Sequence, residues 1–265
     1  MPEVKFYDKY TRNELIVKFL PLVENLARKF STTQQASGVL SINDLIQSLN
    51  TASVSDYSVR ELPLFPLPDV VLFPQQLLPL HIFESRYRML LQSVLESDKR
   101  FGIVRIDPET GEMADIGCCA EVLQHQTSED GRSYVVTLGQ QRFRLLNITR
   151  DTPYRTAMVS WIEDGPVADM ESLTSLRDQV SGALNDVVTL TAKLQDREVE
   201  LPDDLPDLPR ELSFWIGAHL DNRAAAEQQT LLELTDTHDR LHRQFEMLDH
   251  TRRQLAARTV LMDLK

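Results

Sequence analysis

Residues 62–80 read LPLFPLPDVVLFPQQLLPL. The stretch is rich in large apolar side chains, yet Pro63, Pro66, Pro68, Pro74 and Pro79 interrupt it. Proline has no amide hydrogen and its ring clashes with a preceding helical turn, so a continuous helix is excluded. A strand paired along both sides is excluded for the same lack of donors. The remaining solution is the edge and corner of a small closed β-structure, where an amide need not enter a ladder. We expect a first strand that enters a barrel, turns a corner and buries both of its faces.

The residues that follow support a mostly antiparallel β-domain. The pattern predicts a β-branched run at 70–73, strands at 101–106 and 116–126, and a hairpin turn around Asp130-Gly131. SYVVTLGQQRFRLLNITR then reads as two strands broken at Gly139, and Tyr154 to Glu163 as another. Residues 84–98 are helical, with Tyr87, Leu90, Leu91, Val94 and Leu95 on one face. Past Pro166 the chain turns helical, with helices expected at 169–194, 210–220, 224–234 and 236–262 and a stiff acidic connector, LPDDLPDLP, at 201–209. The N-terminal part predicts two short helices, at 11–30 with a kink at Pro21 and at 41–49 behind Ser41, then a polar linker. The domain reading is a helical extension at 1–50, a linker at 51–59, a barrel at 60–166 and a helical bundle at 167–265.

The formal net charge of −12 argues against non-specific nucleic-acid binding, which needs Lys and Arg to neutralise phosphates. Cys118 and Cys119 are adjacent, so they cannot staple distant segments. That fits a reducing compartment, and alternation places one thiol in the core and the other outward. The N-terminus lacks the apolar region of a signal peptide, and no uninterrupted apolar run reaches membrane-helix length. A cytoplasmic protein with no membrane partner is the expectation.

The order and spacing of these small motifs resemble the LON domain, the substrate-binding domain at the N-terminus of Lon proteases. The matching residues are Pro63-Leu64-Phe65-Pro66-Leu67, Val70-Val71-Leu72-Phe73-Pro74, Pro79-Leu80, Phe83-Glu84, Arg86-Tyr87, Ile116-Gly117, Asp130-Gly131 and Gly139-Gln140-Gln141-Arg142-Phe143-Arg144. In the helical half Ala225–Leu234 and Arg240-Leu241 match as well. The resemblance covers about residues 60–262 and looks most like stand-alone LON-domain proteins of the cyanobacterial type. It implies an α+β fold, a PUA-like β-pseudobarrel followed by a helical bundle. It also implies a recognition module for unfolded or exposed polypeptide segments, used in protein quality control or as an adaptor, with a protease or chaperone as partner. No run of the form G-x-x-x-x-G-K-[ST] occurs to cradle ATP phosphates, and no Ser–Lys proteolytic domain follows the bundle. The expectation is therefore a non-enzyme with no cofactor. Contacts to the bound polypeptide are expected at Phe65, Leu67, Phe73, Phe83, Tyr87, Arg142 and Arg144, near the first strand and the barrel-to-helix junction.

Residues 11–47 are similar to the start of region 2 of sigma-70-family factors, through Leu20-Pro21-Leu22-Val23, Ala27-Arg28-Lys29-Phe30 and Asp44-Leu45-Ile46-Gln47. The helix and aromatic segment that would engage the polymerase clamp and melt promoter DNA are missing after Gln47. Either these helices dock on the LON-like part or hang from it, or the chain is a fusion that contacts RNA polymerase through them. Three further features have bland readings. His238 and His242 have the i, i+4 spacing of a zinc pair, but no third ligand stands out, so a solvated helix face is expected. Leu234, Leu241, Leu248, Leu255 and Met262 recur every seven residues and are expected to pack on the chain's own helices. Arg142 and Arg144 flank Phe143 on a strand, which suggests Phe143 in the core and both arginines outward.

Overall fold

The structure is a computed structural model, which describes residues 59–195, 201, 205–219 and 225–263. The helices expected at 11–30 and 41–49, the linker before residue 59 and residues 202–204 of the acidic connector lie outside the described residues. The elements in chain order are β1 (Val59–Leu67), β2 (Leu77–Ile82), α1 (Ser85–Leu95), β3 (Arg100–Arg105), β4 (Ile116–Thr127), β5 (Ser133–Arg150), β6 (Thr156–Ile162), α2 (Met170–Gln195), α3 (Pro209–His219), α4 (Ala225–Glu233) and α5 (Thr237–Asp263).

The strands form one sheet in the order β2-β5-β4-β3-β1-β6, and a further β5–β6 pairing closes five of them into a ring. β1 and β3 are parallel; the other pairs are antiparallel. β2 stays outside the ring, paired to the first half of β5. β1 changes partner midway: Val59 to Pro63 run against β6, and Leu64 to Leu67 run beside β3. Each half thus keeps one free side, which is the setting that tolerates Pro63 and Pro66. Leu62 and Leu64 enter one cluster with Cys119, Phe143 and Val159, while Phe65 and Leu67 enter another with Tyr87, Leu90 and Phe101. Both faces of β1 are buried.

Three local expectations need correction. Val70–Phe73 is not a strand. It is a connector, held where the Phe73 amide donates to Gln76 Oε1 at 2.9 Å, the Gln75 amide to Gly139 O at 2.8 Å and the Gly139 amide to Gln76 O at 2.8 Å. With Pro68 and Pro74 bracketing it, the run cannot supply a regular ladder. Its apolar side chains instead reach the helices, where Val71, Phe73 and Ile116 pack with Phe214, Ala218, Leu231, Leu232 and Met247.

The second correction concerns β5, which is one strand of 18 residues rather than two. Gly139 marks the point where the Phe73 backbone crosses the strand: a Cβ there would lie 1.9 Å from Phe73 O. The glycine signals a close approach, not a break.

The third is that Cys118 and Cys119 are both buried, one in each of the two clusters above. β4 has no solvent face at this point. Burial pushes the Cys119 thiol up to about 12 and the Cys118 thiol well above its ordinary value, so both stay protonated and unreactive.

The helical part is built on two long helices. The Asp169 carboxylate accepts the Glu171 and Ser172 amides, and the Asp236 carboxylate accepts those of His238 and Asp239, so an aspartate caps the start of each. α2 contributes Leu173, Leu176, Val180 and Leu184 to a core shared with Leu212, Ile216, Leu241 and Leu248. The leucine repeat is therefore internal at Leu241 and Leu248, whereas Met262 is exposed.

Two glycines give opposed expectations. Gly139→Ala should lower stability by about 3 kcal/mol, the upper end of overpacking costs, because the obstacle is backbone. Gly182→Ala, on an exposed turn of α2 with open space around the new methyl, should raise it by roughly 0.8–1 kcal/mol. Urea unfolding of the two variants beside the wild type checks both signs.

Candidate functional site

Two regions gather polar or exposed apolar groups in an organised way. The first lies where the barrel meets the helices. Arg142 on β5 projects into this junction and its side chain is 2% exposed; Asp164, just past β6, is 5% exposed and Arg240 on α5 is 0% exposed. One Asp164 oxygen accepts from Arg142 Nη2 and, at 3.2 Å, from Arg240 Nη1; the other accepts from Arg240 Nη2 and, at 2.6 Å, from the Thr237 hydroxyl. Carbonyls accept further guanidinium hydrogens. Arg142 Nη1 donates to Leu232 O at 2.7 Å and Leu234 O at 2.6 Å, and Arg240 Nη1 donates to Leu234 O at 2.6 Å. These carbonyls end α4, where helix carbonyls lack partners of their own and carry partial negative charge. The Phe214 ring lies 5.1 Å from the Arg142 guanidinium and 4.1 Å from that of Arg240.

Burial by itself would raise the Asp164 pKa. The hydrogen bond and charge of Arg240, the Thr237 hydroxyl and the charge of Arg142 outweigh it and hold the carboxyl below its ordinary value. Burial and the neighbouring Arg240 lower the Arg142 pKa, with Asp164 opposing. Arginine nonetheless remains charged. The buried charges are engaged with one another and with nearby carbonyls, so the cluster joins two parts of the protein rather than presenting groups to a ligand.

The second region is open to solvent. β2 pairs on one side only among the described residues. Ile82 and Ser133 face the core, so their neighbours His81 and Tyr134 face out, and their rings stack at 4.5 Å. Phe83 lies 5.6 Å from His81. Leu77, Phe83, Met89 and Leu123 are 40–45% exposed. Met89 also lines a groove of about 640 Å³ between α1 and the β4–β5 turn, with Ser85, Arg88, Gln92, Leu95 and Gly131 among others.

The contact residues expected from sequence divide on this geometry. Phe65, Leu67, Phe73 and Tyr87 are core side chains, and Phe65 stacks on Tyr87 at 4.2 Å. Arg142 is buried as well, which corrects its expected outward orientation. These five cannot touch a ligand without opening the fold. Phe83 and Arg144 are exposed, and Phe83 alone joins the open region described above. The sequence reading passed over Met89 and Arg88. The available signal was an apolar Met89 on the polar side of the α1 helical face. His238 and His242 lie on the exposed face of α5 with ring centroids 6.5 Å apart, and no cluster of three metal-ligating side chains occurs among the described residues. No helix among the described residues is long and apolar enough to cross a membrane.

This architecture, a closed ring of strands with a helical bundle locked onto it, is shared with known proteins. The family model for the ATP-dependent protease La (LON) substrate-binding domain matches residues 61–250. Lon protease of Escherichia coli strain K12 is 24% identical over 195 residues, which is 71% of this chain and 24% of that protein. Lon protease of Anaeromyxobacter dehalogenans is 27% identical over 198 residues, 72% of this chain and 23% of that one. Among solved structures, a Lon N-terminal domain protein from Xanthomonas campestris superimposes with a TM-score of 0.50 at 24% identity, covering 69% of this chain and 96% of that one. The N-terminal domain of Mycobacterium avium complex Lon protease gives 0.54 at 16% identity, covering 72% and 98%. The chain belongs to the LON substrate-binding domain family. It spans about a quarter of the length of the curated relatives it matches. The sigma-like residues 11–47 lie outside both the matched span and the described residues.

Asp164→Asn should cost about 3–5 kcal/mol at pH 7, because it leaves two buried guanidinium groups without their anion. The native carboxyl titrates below its unfolded value. Its stabilisation is therefore complete above the unfolded pKa and disappears as pH falls through the folded one. Urea titrations at a series of pH values should show the gap between wild type and variant narrowing toward strong acid.

Proposed function

We propose that this chain is a non-catalytic polypeptide-binding module that captures exposed segments of unfolded proteins, in quality control or as an adaptor, and leaves ATP-driven unfolding and peptide hydrolysis to partners. The observation that supports this most is the span of the LON match, which covers both barrel and bundle. The surface chemistry agrees. Among the described residues β2 pairs on one side only; a strand edge can pair with an extended chain, and exposed apolar side chains offer burial. Phe83, directly after β2, and Met89 on α1 are such side chains. Extended segments of this kind are available in unfolded proteins and hidden in folded ones, so the surface discriminates by conformation rather than by sequence.

The test is fluorescence anisotropy with a labelled, permanently unfolded polypeptide, such as a reduced and carboxymethylated protein, beside its folded parent. The unfolded form should bind and the folded form should not. Binding should persist at 0.5 M salt, because apolar burial is not screened. Phe83→Ser combined with Met89→Ser should weaken binding about tenfold or more, since an anchor worth over about 1.4 kcal/mol changes affinity by that factor. Equal binding of folded and unfolded forms would sink the reading.

A further inference from the structure

We infer that the groove between α1 and the β4–β5 turn selects extended segments that carry an acidic side chain beside an apolar one. This rests on the polypeptide-binding reading above and names the client chemistry of the same surface. Arg88 carries it. Its guanidinium lies directly over the turn: a Cβ on Gly131 would fall 2.0 Å from Arg88 Nη2 and 2.7 Å from Cζ. Gly131 has φ +80° as well, so glycine suits this position both for the turn and for the room it leaves the arginine.

Two carboxylates near Arg88 in the chain are in ion pairs, Asp130 with Arg132 at 3.1 Å and Glu84 with Arg86 at 2.7 Å, and Glu96, which lines the groove, accepts from the Gln92 amide at 3.3 Å. Arg88 itself is exposed and makes no ion pair or hydrogen bond among the described residues. The same groove wall presents Met89 and Leu95, with Gln92 between them in the chain. A placed, unpaired guanidinium next to apolar side chains is complementary to a carboxylate next to an apolar side chain, and arginine can hold a carboxylate by two parallel hydrogen bonds. A basic segment would meet the Arg88 guanidinium at contact distance, so discrimination includes a repulsive part. The net charge of −12 opposes acidic clients only at long range. That field is screened over about 8 Å at physiological salt, whereas the Arg88 contact acts within hydrogen-bond reach.

The experiment uses three extended fluorescent peptides, acetylated and amidated so that no terminal carboxylate competes. They are identical in their apolar residues and differ only in a central Glu, Gln or Lys. The full chain should bind the Glu peptide about 3–10-fold more tightly than the Gln peptide at low salt, with Lys weakest. The preference should shrink at 0.5 M salt, survive in part in Arg88→Lys, vanish in Arg88→Gln and reverse toward Lys in Arg88→Glu. A reversal is not an effect that misfolding produces. Equal affinity for Glu and Gln, or a Glu preference that persists in Arg88→Gln, overturns the inference while leaving polypeptide binding intact. Failure of every peptide and of the unfolded polypeptide overturns both.

Discussion

One carboxylate holds the two halves of this protein in a fixed relation. Asp164 leaves the barrel at the end of β6 and is gripped by Arg142 from the barrel and Arg240 from the last helix. Burying three charges is expensive, and Coulomb attraction alone does not recover the cost unless the remaining hydrogen-bonding capacity is filled. Here it is filled, by Thr237, by the terminal carbonyls of α4 and by Ser213, which accepts from Arg240 Nε at 2.8 Å. The cluster carries two positive charges against one negative, and the excess is met by the carbonyl ends of a helix and the face of Phe214. Such an arrangement adds little net stability over an apolar contact. What it adds is direction, because a hydrophobic interface tolerates sliding and this one does not.

The proline-rich stretch completes the same junction from the other side. Its prolines keep β1 from pairing regularly on both sides and release residues 70–73 from any strand, and that release lets Phe73 reach the helices. Gly217 accommodates it: a Cβ there would sit 2.5 Å from the Phe73 ring. Gly139 accommodates its backbone. Few donors and many apolar side chains are therefore two aspects of one requirement. The segment must cross from barrel to bundle through a dry interior, where each unpaired amide would cost more than the missing hydrogen bond contributes.

Much of the fold could be read from the sequence because the relevant signals are local. Turn chemistry at Asp130-Gly131, the apolar face of α1 and the helical periodicity after Pro166 all describe neighbours in the chain. The errors share one cause. Alternation along a strand reports which residues lie on which face, but not what covers that face. Cys118 and Cys119 were expected to divide between core and solvent, yet β4 is covered on both sides. Arg142 was expected outward, and it does point away from the barrel interior, but the helices are there. Phe65, Leu67, Phe73 and Tyr87 were expected at a binding surface because the family motif is densest around them. Dense motifs mark packing as readily as contact, and here they mark packing. Asp164 stood in an ordinary Glu-Asp-Gly-Pro strand end, and nothing within reach in the sequence pairs with it.

The surface left for recognition follows from the closure of the barrel. Five strands pair around the ring, which engages most of their edges, although each half of β1 keeps one side unpaired. β2 is the strand the ring does not use, and α1 follows it directly, which brings a strand paired on one side among the described residues and the groove along α1 into one short span of chain. The junction at Asp164 draws on a later part of β5 than this span: β5 pairs with β2 over Ser133 to Leu138 and holds Arg142 further along the strand. Stability and recognition thus draw on separate parts of the longest strand. Phe83 and Met89 are exposed and take no part in the Asp164 contacts, so substitutions there leave the lock in place.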